Sequence, residues 1–277
     1  DCNEEVRLNR RLARDVYIGT VPLIADEMGN MRLAGAGTVI DWLVKMRRLP
    51  RERMLDHAIK NHTVSEIEIT NVALALANFY KDSIPIEIAP SEYRQRFEVD
   101  IHANLRELTI AAYGLPIDFV PIVCSDELEF IKRASELFDR RVYERKIIEA
   151  HGDLRPEHIC LETQPVIIDC LEFKREFRIL DPADELSFLS MECERLGAPV
   201  FVNRLIMETY SQITGDIPPG ELLHFYKSYR AGLRAKLAVL HLREPKVRDA
   251  SKWHVMAREY LVLAEEHIRR GLTGIGM

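Results

Sequence analysis

The stretch between residues 151 and 169 constrains the fold more than any other part of this sequence. Two short apolar runs, Ile159–Leu161 and Pro165–Ile168, are separated by turn residues, a pattern that predicts a β-hairpin. Asp153 precedes the first run and Asp169 follows the second, so we expect their carboxylates to meet at one end of the hairpin. Paired carboxylates suit a hard cation such as Mg²⁺, which shares its oxygen ligands with phosphate. One carboxylate can also accept a proton from a hydroxyl.

Helix and strand patterns alternate over the first 49 residues. Residues 3–13 predict a helix, and β-branched and aromatic residues predict strands over Val16–Ala25 and Thr38–Met46. The prediction ends this unit near Pro50, because proline cannot donate to a strand ladder. The fold class that follows is α+β, with residues 1–49 forming a small mixed unit.

After Pro50 the sequence is mainly helical, and we predict one large helical unit over residues 50–277. Asp181 as N-cap, Pro182 at the first helical position and Asp184 two residues later form a helix start signal. Further helices are predicted over Ile67–Tyr80, over Asp126–Glu149 as one long helix, near 220–241 and near 251–270. On the 220–241 helix we expect a solvated stripe of charges, formed by Lys227, Arg230 and Arg234. We expect a second stripe of the same helix to lie in the core, formed by Tyr226, Tyr229, Leu233 and Leu237.

Composition excludes several classes of protein. With 38 basic and 44 acidic residues the net charge is −6, and no basic block runs five residues, so a nucleic acid is not an expected partner. Apolar runs such as Val72–Ala77 are far shorter than the roughly 20 residues of a membrane span. Five cysteines without a Cys-x-x-Cys pair predict reduced thiols, and the first residues do not form a signal sequence. We therefore expect a cytoplasmic protein that does not bind membranes.

Several motifs together resemble a known family. His151-x-Asp153, a metal-ligand position five residues after that aspartate and a second aspartate on the next strand resemble the catalytic core of protein-kinase-like folds. More closely, the sequence resembles bacterial aminoglycoside phosphotransferase-like proteins, in the aminoglycoside phosphotransferase and choline kinase branch. The segments that carry this resemblance are EEVRLNRRLA, DVYIGTVPL, VKMRRLP, HGDLRPEHICL and DPADELSFLSMECERLG. In some members of that set a P-loop ATP-binding domain is fused downstream.

The resemblance implies roles for individual residues. Asp153 matches the catalytic aspartate that orients the acceptor hydroxyl and takes its proton, and Asp169 matches the aspartate that holds Mg²⁺ against the phosphates of ATP. Arg155 takes the place of a lysine that steadies the γ-phosphate, a task that suits a guanidinium. His151 and Asp184 match residues that brace the catalytic loop, and that loop lies within the segment 151–169.

The nucleotide is expected near the start of the chain. The segment 45–49 resembles the hinge between two lobes, and its residues Met46, Arg47 and Arg48 would bond adenine through their backbone. Glu5 matches the helix glutamate that pairs with the ATP-binding lysine. The two-lobe kinase-like fold would then have a truncated N-terminal lobe at 1–49, since that lysine and the glycine-rich turn would lie upstream of Asp1. Either the sequence is a fragment of a longer protein, which we favour, or the site lacks its phosphate clamp.

A second departure from the family is His158, which occupies the position of an asparagine that binds the second metal. Imidazole is a poor ligand for Mg²⁺. His158 is therefore expected either to donate to a phosphate oxygen or to recruit Mn²⁺.

The resemblance implies an ATP- and Mg²⁺-dependent phosphotransferase that acts on a hydroxyl of a small molecule. A first alternative is a kinase-like module that binds a nucleotide or a partner without transfer, which the missing lysine and His158 favour. A second alternative is a metal-dependent hydrolase that uses His151, Asp153, His158 and Asp169 as one cluster.

Overall fold

The computed structural model describes residues 2–115, 118–243 and 249–275. It begins with helix α1 (Cys2–Asn9), followed by strands β1 (Tyr17–Ala25), β2 (Met31–Leu33) and β3 (Thr38–Met46). The strands form one antiparallel sheet in the order β2-β1-β3. The predicted strands over residues 16–25 and 38–46 are thus confirmed, and the sheet has one short additional strand.

A small apolar cluster joins this sheet to the hairpin that carries the paired aspartates. Val6, Ala13, Val16 and Tyr17 are buried, and Val166 and Ile168 of the hairpin segment pack against them. The first 49 residues therefore lie directly against the end of the hairpin.

Helices α2 (Leu55–Lys60) and α3 (Glu66–Asp82) follow the sheet. Helix α3 begins at a capping box, in which the Ser65 hydroxyl accepts from the Glu68 amide and the Glu68 carboxylate accepts from the Ser65 amide. Its apolar face is buried against α8 (Val200–Thr214) in a second core. The helix predicted over Ile67–Tyr80 is confirmed.

The long helix predicted over residues 126–149 is wrong. After α4 (Pro90–Leu108), the structure has two helices, α5 (Phe119–Arg133) and α6 (Ser135–Tyr143), then strand β4 (Ile148–Glu149). Ala134 between the two helices has φ −108° and ψ 25°, outside helical geometry. Arg145 has a φ of 56°, and this left-handed residue turns the chain towards β4. The apolar and charged spacing continues across both breaks, so periodicity alone does not show them.

Short strands frame the central part of the chain. Strands β5 (Ile159–Cys160) and β6 (Val166–Ile167) form the predicted hairpin, with Ile159 opposite Ile167. Strand β4 pairs with β7 (Ile179–Leu180). The segment 151–158 therefore runs between a strand of one pair and a strand of the other, which fixes both of its ends.

The C-terminal helices are α7 (Pro182–Arg195), α8, α9 (Gly220–Leu240) and α10 (Ala250–Ile275). Asp181 caps α7 through a bond from the Ala183 amide to its carboxylate, as the start signal predicts. Helices α9 and α10 pack along each other and, with α4 and α5, enclose an aromatic core. Within residues 2–115, 118–243 and 249–275, no helix combines the length and the apolar character needed to cross a bilayer.

The charge stripe on α9 is not solvated, so that expectation is wrong. Arg230 is 8% exposed, and its guanidinium binds the Asp184 carboxylate. Lys227 pairs with Glu194, and Arg234 pairs with Glu192. Because these side chains lie between α9 and its neighbouring helices, they form ion pairs with carboxylates of α7 and are not solvated. Of the expected core stripe, Leu237 is exposed, so that part of the expectation is wrong.

Candidate active site

The hairpin brings together the side chains of three residues of the segment 151–169. Asp153 lies before β5, His158 lies at its start and Asp169 follows β6. One ligand atom from each residue lies within 4.8 Å of the others. Antiparallel pairing causes this, because the start of β5 lies beside the end of β6. The expectation that the two aspartates meet at one end of the hairpin is confirmed by their geometry.

The His158 ring is fixed by a backbone group. Its Nδ1 lies 2.9 Å from the Asp153 carbonyl oxygen, and a carbonyl only accepts, so Nδ1 carries the proton. Its Nε2 lies 3.1 Å from Oδ2 of Asp169 and 3.0 Å from Nη2 of Arg155. The imidazole therefore presents Nε2 to the space between the carboxylates.

Asp169 is held in a conformation that few non-glycine residues adopt. Its φ is 66°, in the left-handed region, and its amide donates to the Tyr17 hydroxyl over 3.2 Å. The side chain is 64% exposed, so it remains accessible to a ligand. The neighbouring His158, and after it Arg155, lower the pKa of Asp169, which keeps the carboxylate charged. Burial raises the pKa of Tyr17 to about 12, so its hydroxyl stays protonated.

Arg155 lies at the centre of the charges in the loop. Its guanidinium lies 2.9 Å from Oδ2 of Asp153 and 2.5 Å from Oε1 of Glu157. The third contact is the Nε2 atom of His158. The guanidinium therefore compensates the negative charge that Asp153 and Asp169 bring to one place.

His151 is a buried and neutral link between two segments of the site. Its Nε2 donates to the Ile168 carbonyl over 2.9 Å, and its Nδ1 accepts from the Asp153 amide over 3.3 Å. Burial lowers its pKa to about 3. Because both ring nitrogens are used by backbone groups, the cluster of four metal ligands that the hydrolase interpretation requires does not form.

Glu185 is the acidic residue that holds the start of the segment 151–158, and the sequence motifs did not single it out. Its carboxylate accepts from the amides of His151 and Gly152, at 3.0 and 2.6 Å, and from the Tyr80 hydroxyl at 2.8 Å. Asp184, the residue expected in this role, binds Arg230 on α9 instead. The turn of α7 decides which of the two neighbours faces the loop. The Asp-Pro-x-x-Glu spacing was the available signal.

Two residues of the first unit also hold the Asp169 segment and were not singled out from the sequence. The Asn9 side chain accepts from the Cys170 amide over 2.8 Å. The Arg11 guanidinium donates to the carbonyls of Glu149 and Ala150, each over 2.8 Å. The end of α1 and the turn that follows it are thus tied to both sides of the site.

The residues expected to bind the nucleotide occupy the first unit, and their role stays a prediction. Met46 ends β3 opposite Tyr17, and the Arg47 amide donates to the Val16 carbonyl, so this amide is already used. The Arg47 side chain forms a bidentate pair with Glu162. Arg48 follows on the exposed connection to α2.

Glu5 lies on α1 facing the site. Burial, together with Glu172 and Asp169, raises the pKa of its carboxyl. Across residues 2–115, 118–243 and 249–275 no side-chain cation forms an ion pair with it. The counter-ion expected from the family is therefore not supplied by this part of the chain.

The donor atoms fit a divalent cation, although they fit Mg²⁺ only in part. Asp153 and Asp169 provide the carboxylate oxygens that Mg²⁺ prefers, whereas His158 provides a nitrogen. A set of two carboxylates and one imidazole is typical of sites for first-row transition cations.

Comparison with known proteins places the fold but not the activity. No family model matches the sequence. Uncharacterized proteins of Mycobacterium tuberculosis and Mycobacterium bovis are 28% identical over 283 residues, which cover 100% of this chain and 53% of theirs. The chain therefore spans about half the length of these curated relatives.

A solved structure extends the comparison to the fold. The GDP complex of wild-type aminoglycoside 2'-phosphotransferase-IIIa matches with a TM-score of 0.52 and 15% identity, covering 97% of this chain and 81% of that one. The expected resemblance to an aminoglycoside phosphotransferase is thereby confirmed at the level of the fold.

Proposed function

We propose that this chain is a phosphotransferase that moves the terminal phosphoryl group of a nucleoside triphosphate to a hydroxyl of a small molecule. The observation that carries this proposal is the convergence of Asp153, His158 and Asp169 at one end of a hairpin. The backbone of the segment that precedes the hairpin is held by the Glu185 carboxylate. The same proposal assigns the two-lobe kinase-like arrangement, with a partial N-terminal lobe at 1–49, a hinge near 45–49 and a helical lobe at 50–277.

Asp153 is the base of the proposed reaction. Its carboxylate is about one-fifth exposed at the mouth of the loop, while its amide and carbonyl are held by His151 and His158. The backbone is fixed, Oδ2 contacts Arg155, and Oδ1 can accept the proton of the acceptor hydroxyl. The acceptor oxygen forms a bond to the γ-phosphorus, the bond from that phosphorus to the β–γ bridging oxygen breaks, and the nucleoside diphosphate leaves.

Asp169 and Arg155 supply the charges of the proposed site. A divalent cation held by Asp169 would neutralise the phosphate oxygens as the phosphoryl group moves. Arg155 carries donors in a rigid fork that matches phosphate geometry, and its contacts to Asp153 and Glu157 hold it beside the reacting position. Catalysis would rest on positioning and charge neutralisation.

The identity of both substrates is part of the proposal. ATP is the donor that the sequence motifs imply. The solved neighbour was obtained with GDP, so GTP is a second candidate donor. The curated relatives extend well beyond the aligned region. The resemblance of the motifs makes a fused or separate P-loop ATP-binding domain a further candidate partner.

Transfer of a labelled γ-phosphate tests the proposal. We would incubate the chain with γ-labelled ATP or GTP, Mg²⁺ or Mn²⁺, and a panel of hydroxylated small molecules, and follow label in the acceptor. The proposal expects acceptor-dependent label that Asp153→Asn reduces by a factor of at least about 100, while nucleotide binding persists. Label that appears only as free phosphate, at the same rate in both proteins, would contradict it.

A second candidate function is nucleotide or partner binding without transfer. The observation that favours it is Glu5, a carboxyl with a raised pKa and no paired cation in the described residues. Under this alternative the wild-type chain binds nucleotide with metal yet transfers no label to any acceptor. The labelled-phosphate experiment therefore separates the two candidates.

A further inference from the structure

We infer that His158 makes this cluster a site that selects a first-row divalent transition cation over Mg²⁺. The inference takes the cluster as the cation site of the proposed phosphotransferase, and it concerns which cation that site holds. Its basis is the tautomer and direction of one imidazole.

The proton of the imidazole lies on Nδ1, the nitrogen that faces the Asp153 backbone and lies 3.9 Å from Oδ2 of Asp153, and not on the nitrogen that faces Asp169. Nδ1 is 2.9 Å from the Asp153 carbonyl and must donate to it. A backbone acceptor on the distal nitrogen is the usual arrangement for a histidine that binds a metal, because it fixes the tautomer and the ring plane.

The other nitrogen carries a lone pair aimed at the carboxylates. Nε2 lies 3.0 Å from Nη2 of Arg155, and a guanidinium can only donate, so a second proton on Nε2 would oppose it. Oδ2 of Asp169 lies 3.1 Å from the same nitrogen. Two lone pairs that face each other at this distance require a cation beside them.

The Arg155 guanidinium is the cation beside Nε2 of His158, and a bound metal ion would take its place there. The guanidinium keeps its bonds to Asp153 and Glu157 when it leaves Nε2, so displacement removes a single contact. It would then be directed at phosphate oxygens. His158, 6% exposed, stays fixed by its Nδ1 bond during this exchange.

The donor set then decides the cation. Mg²⁺ demands octahedral oxygen ligands and loses its water reluctantly, whereas the first-row transition cations accept an imidazole nitrogen, with an affinity that rises from Mn²⁺ to Cu²⁺. An asparagine at this position would offer an oxygen instead. The exchange of this one donor atom from nitrogen to oxygen is expected to lower the preference for Mn²⁺ over Mg²⁺.

Binding of Mn²⁺ alone, without nucleotide, tests the inference. The free Mn²⁺ signal in electron paramagnetic resonance gives the dissociation constant of Mn²⁺. Competition with Mg²⁺ gives the ratio of the Mg²⁺ dissociation constant to the Mn²⁺ dissociation constant. We expect His158→Asn to lower this ratio at least about tenfold. His62→Asn is the matched control, because His62 is exposed with a φ of 54° that asparagine tolerates, and its ratio should equal that of the wild type.

A spectroscopic measurement on the wild-type protein does not depend on how a variant folds. Electron spin echo modulation of bound Mn²⁺ should show coupling to one imidazole nitrogen, which His158→Asn removes and His62→Asn retains. Absence of this coupling in the wild type, no binding of Mn²⁺, or an unchanged ratio in His158→Asn would each overturn the inference.

The outcomes also separate this inference from the proposed function. Nucleotide that binds with Mg²⁺, with no nitrogen coupling to Mn²⁺, would overturn the selectivity and leave the phosphotransferase standing. Nitrogen-coupled Mn²⁺ in a chain that binds no nucleotide would overturn the phosphotransferase and leave the metal site.

Discussion

Nε2 of His158 lies 3.1 Å from Oδ2 of Asp169, because His158 directly precedes β5 and Asp169 follows β6 at the same end of the hairpin. Antiparallel pairing of β5 and β6 sets this distance, and the packing of the hairpin against Tyr17 and Val16 holds it. The same contact lowers the pKa of Asp169. The chemistry of the site thus depends on a hairpin of minimal length and on the sheet that covers its end.

Glu185→Gln should loosen the catalytic loop without touching any substrate. Glu185 is buried and accepts from two backbone amides, and a glutamine would turn an N–H group towards one of them. An unpaired buried donor costs about 1–3 kcal/mol of unfolding free energy. Denaturant unfolding should show this loss, and phosphoryl transfer should fall with it. Glu98→Gln on the exposed face of α4 is the control and should leave both unchanged. Equal effects from the two variants would remove Glu185 from the account.

Gly152→Ala should destabilise the protein more than the same change at Gly215. Gly152 has a φ of 90°, and a Cβ there would lie 3.1 Å from the Phe177 carbonyl oxygen and 3.1 Å from Cγ of Arg178. Gly215 has a φ of 70° with open space around it. Both changes incur the left-handed cost of about 1–2 kcal/mol, and only Gly152→Ala adds a steric cost. Thermal unfolding of the two variants measures the difference, and equal midpoints would contradict the loop geometry.

Arg155→Gln should strengthen binding of a divalent cation while it weakens transfer. The guanidinium contributes a positive charge close to the donor atoms of His158 and Asp153, and its removal lowers the repulsion that a cation meets. At this partly exposed position we expect a gain in Mn²⁺ affinity of roughly fivefold, about 1 kcal/mol. Titration with Mn²⁺ checks this, with Arg14→Gln on the exposed surface as control. A loss of Mn²⁺ affinity would show that Arg155 does not compete for the site.

Stability should fall between pH 6.5 and 4 partly because of a histidine pair far from the site. Nδ1 of His224 lies 3.0 Å from Nδ1 of His267, with Glu194 and Lys227 beside them. Burial, then His267, lowers the pKa of His224 to about 4. In the unfolded chain His224 binds a proton near pH 6.5, whereas in the folded chain it binds that proton only at lower pH. Its contribution to the unfolding free energy is therefore fully present above pH 6.5 and is lost as the pH falls. His151, with a pKa of about 3, acts in the same direction.

Chemical denaturation of His224→Gln at pH 7, 5.5 and 4.5 measures this contribution. The unfolding free energy of the variant should fall less steeply than that of the wild type, by up to about 1.4 kcal/mol per pH unit. His102→Gln on the exposed face of α4 should follow the wild type. Parallel curves for His224→Gln and the wild type would exclude the pair as a source of acid sensitivity.

Local chemistry made part of this structure predictable. The hairpin, the cap at Asp181 and the meeting of Asp153 with Asp169 follow from turn residues, strand propensity and pairing geometry within short spans. The break at Ala134 carries no glycine or proline in the sequence, so no local signal marks it. The loop contact of Glu185 depends on a distant partner, since it is set by how α7 packs. A rotation of one residue along α7 separates Glu185 from the expected Asp184. Periodicity and capping do not determine that rotation.

Metal-dependent nucleotide binding tests the central claim most directly. Calorimetric titration of ATP and of GTP would be carried out with Mn²⁺ and with Mg²⁺, on the wild type, on Asp169→Asn and on Asp82→Asn. Asp82 ends α3 on the exposed surface and serves as the matched control. We predict binding that requires the metal, that Asp169→Asn abolishes and that Asp82→Asn retains. No binding by the wild type, or binding that is equal in all three proteins, would contradict the assignment of this hairpin as a phosphotransferase site.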